Sequence, residues 1–97
     1  MTITKANLVE EVAKEMAPRI TKRDVSRIVQ KFLDAMIQSL VKGDRIEIRG
    51  FGILKTKLRK PKVARNPKTN QPVNIPTRRV PVFKASRLLK AKIAKGS

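Results

Sequence analysis

Between Lys22 and Lys42, apolar side chains recur at helical spacing without a break: Val25, Ile28, Val29, Phe32, Leu33, Met36, Ile37, Leu40 and Val41. Thr21-Lys22-Arg23-Asp24 opens this stretch with the spacing of a capping box, and Gly43 closes it where a helix wants a left-handed residue. The pattern predicts a helix about 30 Å long. A single chain of 97 residues has little core to spare, so association with a second copy is an expectation from the outset.

The remaining elements are shorter. Thr4 is placed to N-cap a first helix running to about Ala17, with Leu8, Val9, Val12, Ala13 and Met16 on one face and Pro18 as its stop. From Asp44 the period changes to two. Ile46 and Ile48 alternate with Arg45, Glu47 and Arg49, and Gly50-Phe51-Gly52 provides the bend. A second strand runs from Ile53 toward Lys60, with Leu54, Thr56 and Leu58 on one face and Lys55, Lys57 and Arg59 on the other. Strand character resumes at Val80 and Val82, and a short final helix carries Leu88, Leu89 and Ile93. The expectation is an α+β chain with a helical part over residues 1–43, a sheet over 44–83 and a C-terminal helix over 84–97.

Residues 59–76 differ from everything around them. They contain Pro61, Pro67, Pro72 and Pro76, the cations Arg59, Lys60, Lys62, Arg65 and Lys68, and only Val63, Val73 and Ile75 as aliphatics beyond alanine. Such a stretch buries too little to fold back on a body, yet its ends read as strands, so a projecting two-stranded arm is expected. Asn66-Pro67-Lys68-Thr69 is a turn signal at its tip.

Charge points to the partner. Residues 1–47 hold nine basic and seven acidic side chains, whereas residues 48–97 hold fifteen basic and no acidic ones, for a net charge of +17. A surface so one-sided implies a polyanion. A proline ring at the end of a basic arm has no N–H to lose and is suited to enter between base pairs from the minor groove. Unstacking costs a few kcal/mol, and smooth bending about 1–6 more, which counterion release at several phosphates is large enough to offset.

The runs Arg45-Ile46-Glu47-Ile48-Arg49-Gly50-Phe51-Gly52 and Arg65-Asn66-Pro67-Lys68-Thr69 together resemble the bacterial HU and integration host factor family, and the likeness spans essentially the whole chain. The resemblance implies an intertwined dimer, with two N-terminal helices under a three-stranded antiparallel saddle, a projecting β-ribbon arm and a short C-terminal helix. It implies that the two arms wrap the minor groove of double-stranded DNA and that Pro67 intercalates and bends it. By position, Arg59, Lys60, Lys62, Arg65 and Lys68 would line the arm, with Asn66 and Thr69 at its tip and Arg78 and Arg79 on the returning strand. Lys55 and Lys57 would face the duplex from the saddle. Thr4 and Lys5 would meet a phosphate at a helix N-terminus, and Lys84 and Arg87 would make flank contacts. Glu47 and Arg49 stand where the integration host factor branch places side chains that contribute to sequence preference. Asn70 departs from the family's usual Gly after the tip, though Asn tolerates the left-handed conformation.

Plainer readings stand beside these. Glu47 could simply pair with a neighbouring Arg, and Asn66-Pro67 could be an ordinary hairpin tip. Phe32, Phe51 and Phe83, with Met16 and Met36, read as core. Lys90, Lys92 and Lys95 could be a solvated helix face. A ribosomal protein is the rival class, since those too are small and basic with extended arms.

An enzyme is disfavoured. There is no His or Cys, and no acid follows Glu47, so neither a cofactor nor a metal is expected. The first eleven residues lack an apolar signal core, and no apolar run exceeds three residues, which argues against secretion and membrane insertion and for a cytoplasmic, nucleoid location. No small-molecule substrate is implied, and the partner subunit is either a second copy or a paralogue.

Overall fold

The computed structural model describes residues 1–96. Ser97, the last residue of the expected C-terminal helical segment, lies outside the described residues. The chain forms two compact units, one over Met1–Gln38 and the other from Ser39 onward.

The first unit contains α1 (Lys5–Met16) and most of α2 (Lys22–Val41). Thr4 caps α1 as its position suggested. Its Oγ1 accepts from the Asn7 N–H at 3.3 Å, and the Asn7 Oδ1 accepts from the Thr4 N–H at 2.9 Å. Helix α1 ends before the cis Ala17–Pro18 bond. Thr21 Oγ1 accepts from the Asp24 N–H at 3.2 Å at the start of α2. Between the helices, Lys22 Nζ donates to Glu10 Oε1 at 2.6 Å. That bond and the ammonium's charge hold the Glu10 carboxyl below its ordinary value. A lowered carboxyl favours the folded state at neutral pH, and this contribution is lost as pH falls through the folded value. Both side chains are more than half exposed, so the effect is small.

The second unit carries β1 (Ile46–Ile48), β2 (Gly52–Arg59), β3 (Lys62–Arg65), β4 (Pro72–Ile75), β5 (Arg78–Ala85) and α3 (Arg87–Gly96). Strands β1, β2 and β5 form an antiparallel sheet in that order, while β3 and β4 form a separate two-stranded sheet. The expected boundary at residue 84 is corrected: Lys84 pairs with Ile53 and belongs to β5, and the helix begins three residues later. Ser86 ends the strand and caps the helix, its Oγ accepting from the Leu89 N–H at 3.0 Å.

Glycine is required at two corners. Gly43 follows α2 at φ +91° and Gly50 makes the β1–β2 bend at φ +79°, a region L side chains rarely adopt. Gly52 is needed for space: a Cβ there would stand 2.5 Å from the Lys84 carbonyl oxygen and 2.6 Å from Phe83 Cε1.

The aromatic expectation is also corrected. Among the described residues only Val9 and Val25 are buried apolar side chains. Phe32 is 57% exposed, and Phe51 and Phe83, whose ring centroids lie 5.1 Å apart at a 41° tilt, are 46% and 45% exposed. Met16 is exposed as well, and Met36 half-buried. The physical reason is a shortage of covering elements: periodicity identified the apolar faces correctly, but one chain does not enclose them.

Gly52→Ala is expected to lower unfolding stability by about 1–3 kcal/mol through overpacking against β5, read as a fall in the urea midpoint. Gly96→Ala, whose Cβ meets nothing within 4 Å, is expected not to lower it.

Candidate nucleic-acid interface

The register of β2 against β5 sorts the basic residues onto faces. Ile53, Lys55, Lys57 and Arg59 stand opposite Lys84, Val82, Val80 and Arg78, and directly opposed residues share a face. Glu47 joins this face through its pairing with Ile53. Lys55, Lys57, Arg59, Arg78 and Lys84 thus lie together on the outer surface of the sheet, all exposed. The opposite face carries Leu54 with Phe83, Thr56 with Pro81 and Leu58 with Arg79.

Arg79 is therefore not a companion of Arg78. Its guanidinium donates to the Leu40 carbonyl oxygen at 2.9 Å and to Thr56 Oγ1 at 3.3 Å. A cation at the last turn of a helix complements the helix dipole, and here it is a second donor to the Leu40 carbonyl, which also accepts from the Gly43 N–H at 3.0 Å. Gly43 leaves room for it, since a Cβ there would come within 3.2 Å of Arg79 Nη2. The Arg79 guanidinium, expected to meet DNA, is held within the chain by these two bonds while remaining exposed. Strand alternation between Arg78 and Arg79 already separated the two, but the carbonyl acceptor has no sequence signature.

Glu47, Arg49, Lys84 and Arg87 come from different parts of the fold and line one hollow of about 510 Å³ together with Ile48, Ile53 and Ala85. Ser86 also lines it and was missed, although a Ser just before an apolar helical run is a capping signal. Glu47 Oε1 accepts from Arg45 Nη2 at 3.0 Å, a solvated pair on one strand rather than across two. The plainer reading of Glu47 is thus realised, and it leaves Arg49 as the uncommitted charge beside it.

The arm is the β3–β4 ribbon, and its tip is a closed turn. The Asn66 carbonyl accepts from the Asn70 N–H at 2.7 Å, the Asn66 N–H donates to the Gln71 carbonyl at 2.9 Å, and Asn66 Oδ1 accepts from the Lys68 N–H at 2.9 Å. Asn70 holds φ +58°, the left-handed conformation a Gly would otherwise supply, so the turn survives the substitution. Arg65 Nη1 donates to Asn70 Oδ1 at 3.2 Å. Pro67, Lys68 and Thr69 project exposed from this turn. Lys60 and Lys62 stand at the other end of the arm with Arg59 and Arg78.

Thr4 and Lys5 belong to the first unit. The capping pair already engages Thr4, and Lys5 Nζ donates to Gln30 Oε1. No group of three or more His, Cys, Asp or Glu that could hold a metal occurs among the described residues, and no described helix is long and apolar enough to cross a membrane.

The model of the family described as bacterial DNA-binding protein matches residues 3–94. The chain belongs to this family of HU and integration host factor proteins. Its members are architectural DNA-binding proteins without enzymatic chemistry. The chain is 43% identical to the integration host factor subunit beta of Dechloromonas aromatica, covering 94% of this chain and 96% of that one. It is 38% identical to the same subunit of Haemophilus influenzae, with the same coverage. Among solved structures, an Anabaena HU crystallised with DNA superposes with TM-score 0.88 at 35% identity, over 95% of this chain and 98% of that one. HU from Thermotoga maritima gives 0.64 at 26% identity, over 94% and 98%. The α+β HU fold follows from these likenesses.

For this HU and integration host factor chain, the two neighbouring arginines of β5 should separate experimentally. Arg79→Ala is expected to cost about 1 kcal/mol of stability, with the salt dependence of DNA binding unchanged. Arg78→Ala is expected to leave stability nearly unchanged and to reduce the slope of log affinity against log salt by about one. Paired chemical denaturation and salt-titrated binding isotherms check both.

Proposed function

We propose that this chain bends duplex DNA by inserting Pro67 of each of two arms into the minor groove, as one subunit of an intertwined dimer whose two units per chain make a single bending domain. The observation that carries this reading is the tip: an exposed proline ring held in a hydrogen-bonded turn at the end of a ribbon with cations along its length. A wedge must hold its shape under load, and the bonds at Asn66 and Asn70 supply that. The outer saddle face, with Lys55, Lys57, Arg59, Arg78 and Lys84, would take backbone phosphates and repay the unstacking. Binding would favour flexible, nicked or A/T-rich duplexes, because deformation energy differs among sequences. Organising the nucleoid in the cytoplasm, or assembling larger nucleoprotein complexes, is the use this mechanism serves.

Dimer formation is supported by the apolar faces left uncovered on one chain. Ile28, Phe32, Ile37 and Val41 of α2 are each more than half exposed, a state a soluble helix does not keep alone. A second copy would cover them. The identity to proteins named as one subunit of integration host factor favours a paralogous partner as the second reading.

End-to-end energy transfer on a short, doubly labelled duplex tests the mechanism. Wild-type protein is expected to shorten the duplex, Pro67→Ala to bind with much less shortening, and both to weaken steeply between about 50 and 200 mM salt. Binding with no shortening by the wild type would sink the wedge. Equal affinity for an RNA hairpin of the same length would favour the ribosomal alternative.

A further inference from the structure

Hydrogen bonding at the arm tip leaves donors over and no side-chain acceptors. Asn66 Oδ1 accepts from the Lys68 N–H at 2.9 Å, Thr69 Oγ1 from the Gln71 N–H at 3.4 Å, and Asn70 Oδ1 from Arg65 Nη1 at 3.2 Å. Every side-chain oxygen of residues 66–70 is thus engaged within the tip. Asn66 Nδ2, Lys68 Nζ and Asn70 Nδ2, in contrast, have no acceptor among the described residues, and all three residues are exposed.

Of these donors, Asn70 Nδ2 is both aimed and spare. Arg65 holds Oδ1, and because the amide is planar that bond orients Nδ2 as well. Lys68 carries only a flexible point charge on a four-carbon stem. Asn66 builds the turn through its side-chain oxygen. Asn70 enters the turn by its backbone alone, through φ +58° and an N–H that donates to the Asn66 carbonyl at 2.7 Å. A glycine would supply both, so the turn has no need of the Asn70 amide.

The minor groove offers that amide a definite match. An A·T pair shows only the A N3 and T O2 acceptors there, whereas G·C adds the N2 amino donor. A free N–H gains a bond on A·T and meets another N–H on G·C. To accept from the amino group, the Asn70 amide has to turn and give up Arg65. The closed turn holds Pro67 between Asn66 and Asn70, so a proline seated in the groove carries the amide in with it.

We propose that Asn70 is a specificity-determining residue whose Nδ2 reads A·T against G·C at the base pair beside the step that Pro67 enters. This is a hydrogen-bond readout, separate from the deformability that favours A/T-rich duplexes whatever the tip carries. It rests on the reading that the tip works in the minor groove.

The test uses the full-length protein and nicked duplexes, doubly end-labelled, in which the nick fixes a kink and only the pairs flanking it vary. Those pairs are A·T, G·C or inosine·C, which keeps the major-groove face of G·C and lacks the N2 amino group. Wild type is expected to bind the A·T and inosine duplexes more tightly than the G·C one. About fivefold of that preference, the worth of one net hydrogen bond, is expected to disappear in Asn70→Gly and Asn70→Asp alike. The aspartate keeps an acceptor for Arg65 but has no N–H, so it separates reading from the holding of Arg65. Its added charge weakens binding to every duplex and cancels in the ratio. A preference unchanged in both variants overturns the readout and leaves deformability alone. A preference lost in Asn70→Gly but kept in Asn70→Asp overturns it too, and makes Asn70 a holder of Arg65. Energy transfer between the duplex ends is read in the same titrations. Shortening without an Asn70-dependent ratio brings down this proposal alone, and an Asn70-dependent ratio without shortening brings down the wedge alone.

Discussion

Positive charge that the chain does not neutralise governs its second half. Fifteen cations and no acid follow Glu47, and the consequences reach the backbone. A ribbon so charged gains nothing by folding back onto a basic saddle, so β3 and β4 pair only with each other. With almost no side chain covered, the ribbon depends on four ladder pairs and the bonds of its tip. Isolated two-stranded ribbons are marginal in water. On the proposed reading a polyanion would supply what the sequence withholds, and the ordering of the arm and the binding of its partner would be one equilibrium.

The first half has the complementary deficit. Val9 and Val25 are its buried apolar side chains, and most of the α2 stripe remains open on a single chain. Apolar burial is worth roughly 25 cal/mol per Å², so a helix stripe of this length is a large reserve that one chain leaves unused. One chain thus presents two unsatisfied surfaces, apolar and cationic. Neither substitutes for the other, because water is expelled from the first while counterions are expelled from the second.

Sequence and structure agree where a local rule decides. Thr4 caps α1, Gly43 and Gly50 take positive φ, and Asn70 takes the left-handed place of a glycine, all readable from residue type and position. They part where a distant partner decides. Nothing local tells Arg79 that the Leu40 carbonyl, thirty-nine residues away, will hold it, although strict alternation after Arg78 does place it on the other face. Phe32, Phe51 and Phe83 show the same limit from the apolar side. Periodicity says which face is apolar and not which chain will cover it. The hollow shared by Glu47, Arg49, Lys84 and Arg87 was legible only as scattered charges, because the β2–β5 register assembles it.

Asn70 shows how a departure from the family pattern can strengthen a site. A glycine at this position adopts the turn freely but loses the most conformational freedom when it is fixed. Asn accepts the same φ with fewer alternatives in the unfolded arm, and its Oδ1 gives the Arg65 guanidinium an acceptor within the tip. The bond also keeps Arg65 from wandering into solvent in the free protein. At 3.2 Å and exposed it is weak, so on the proposed reading exchanging it for an acceptor in the minor groove would cost little. A tip that is shaped beforehand but only lightly held would suit the proposed wedge, which would have to arrive in the right form and then give its cation to the groove.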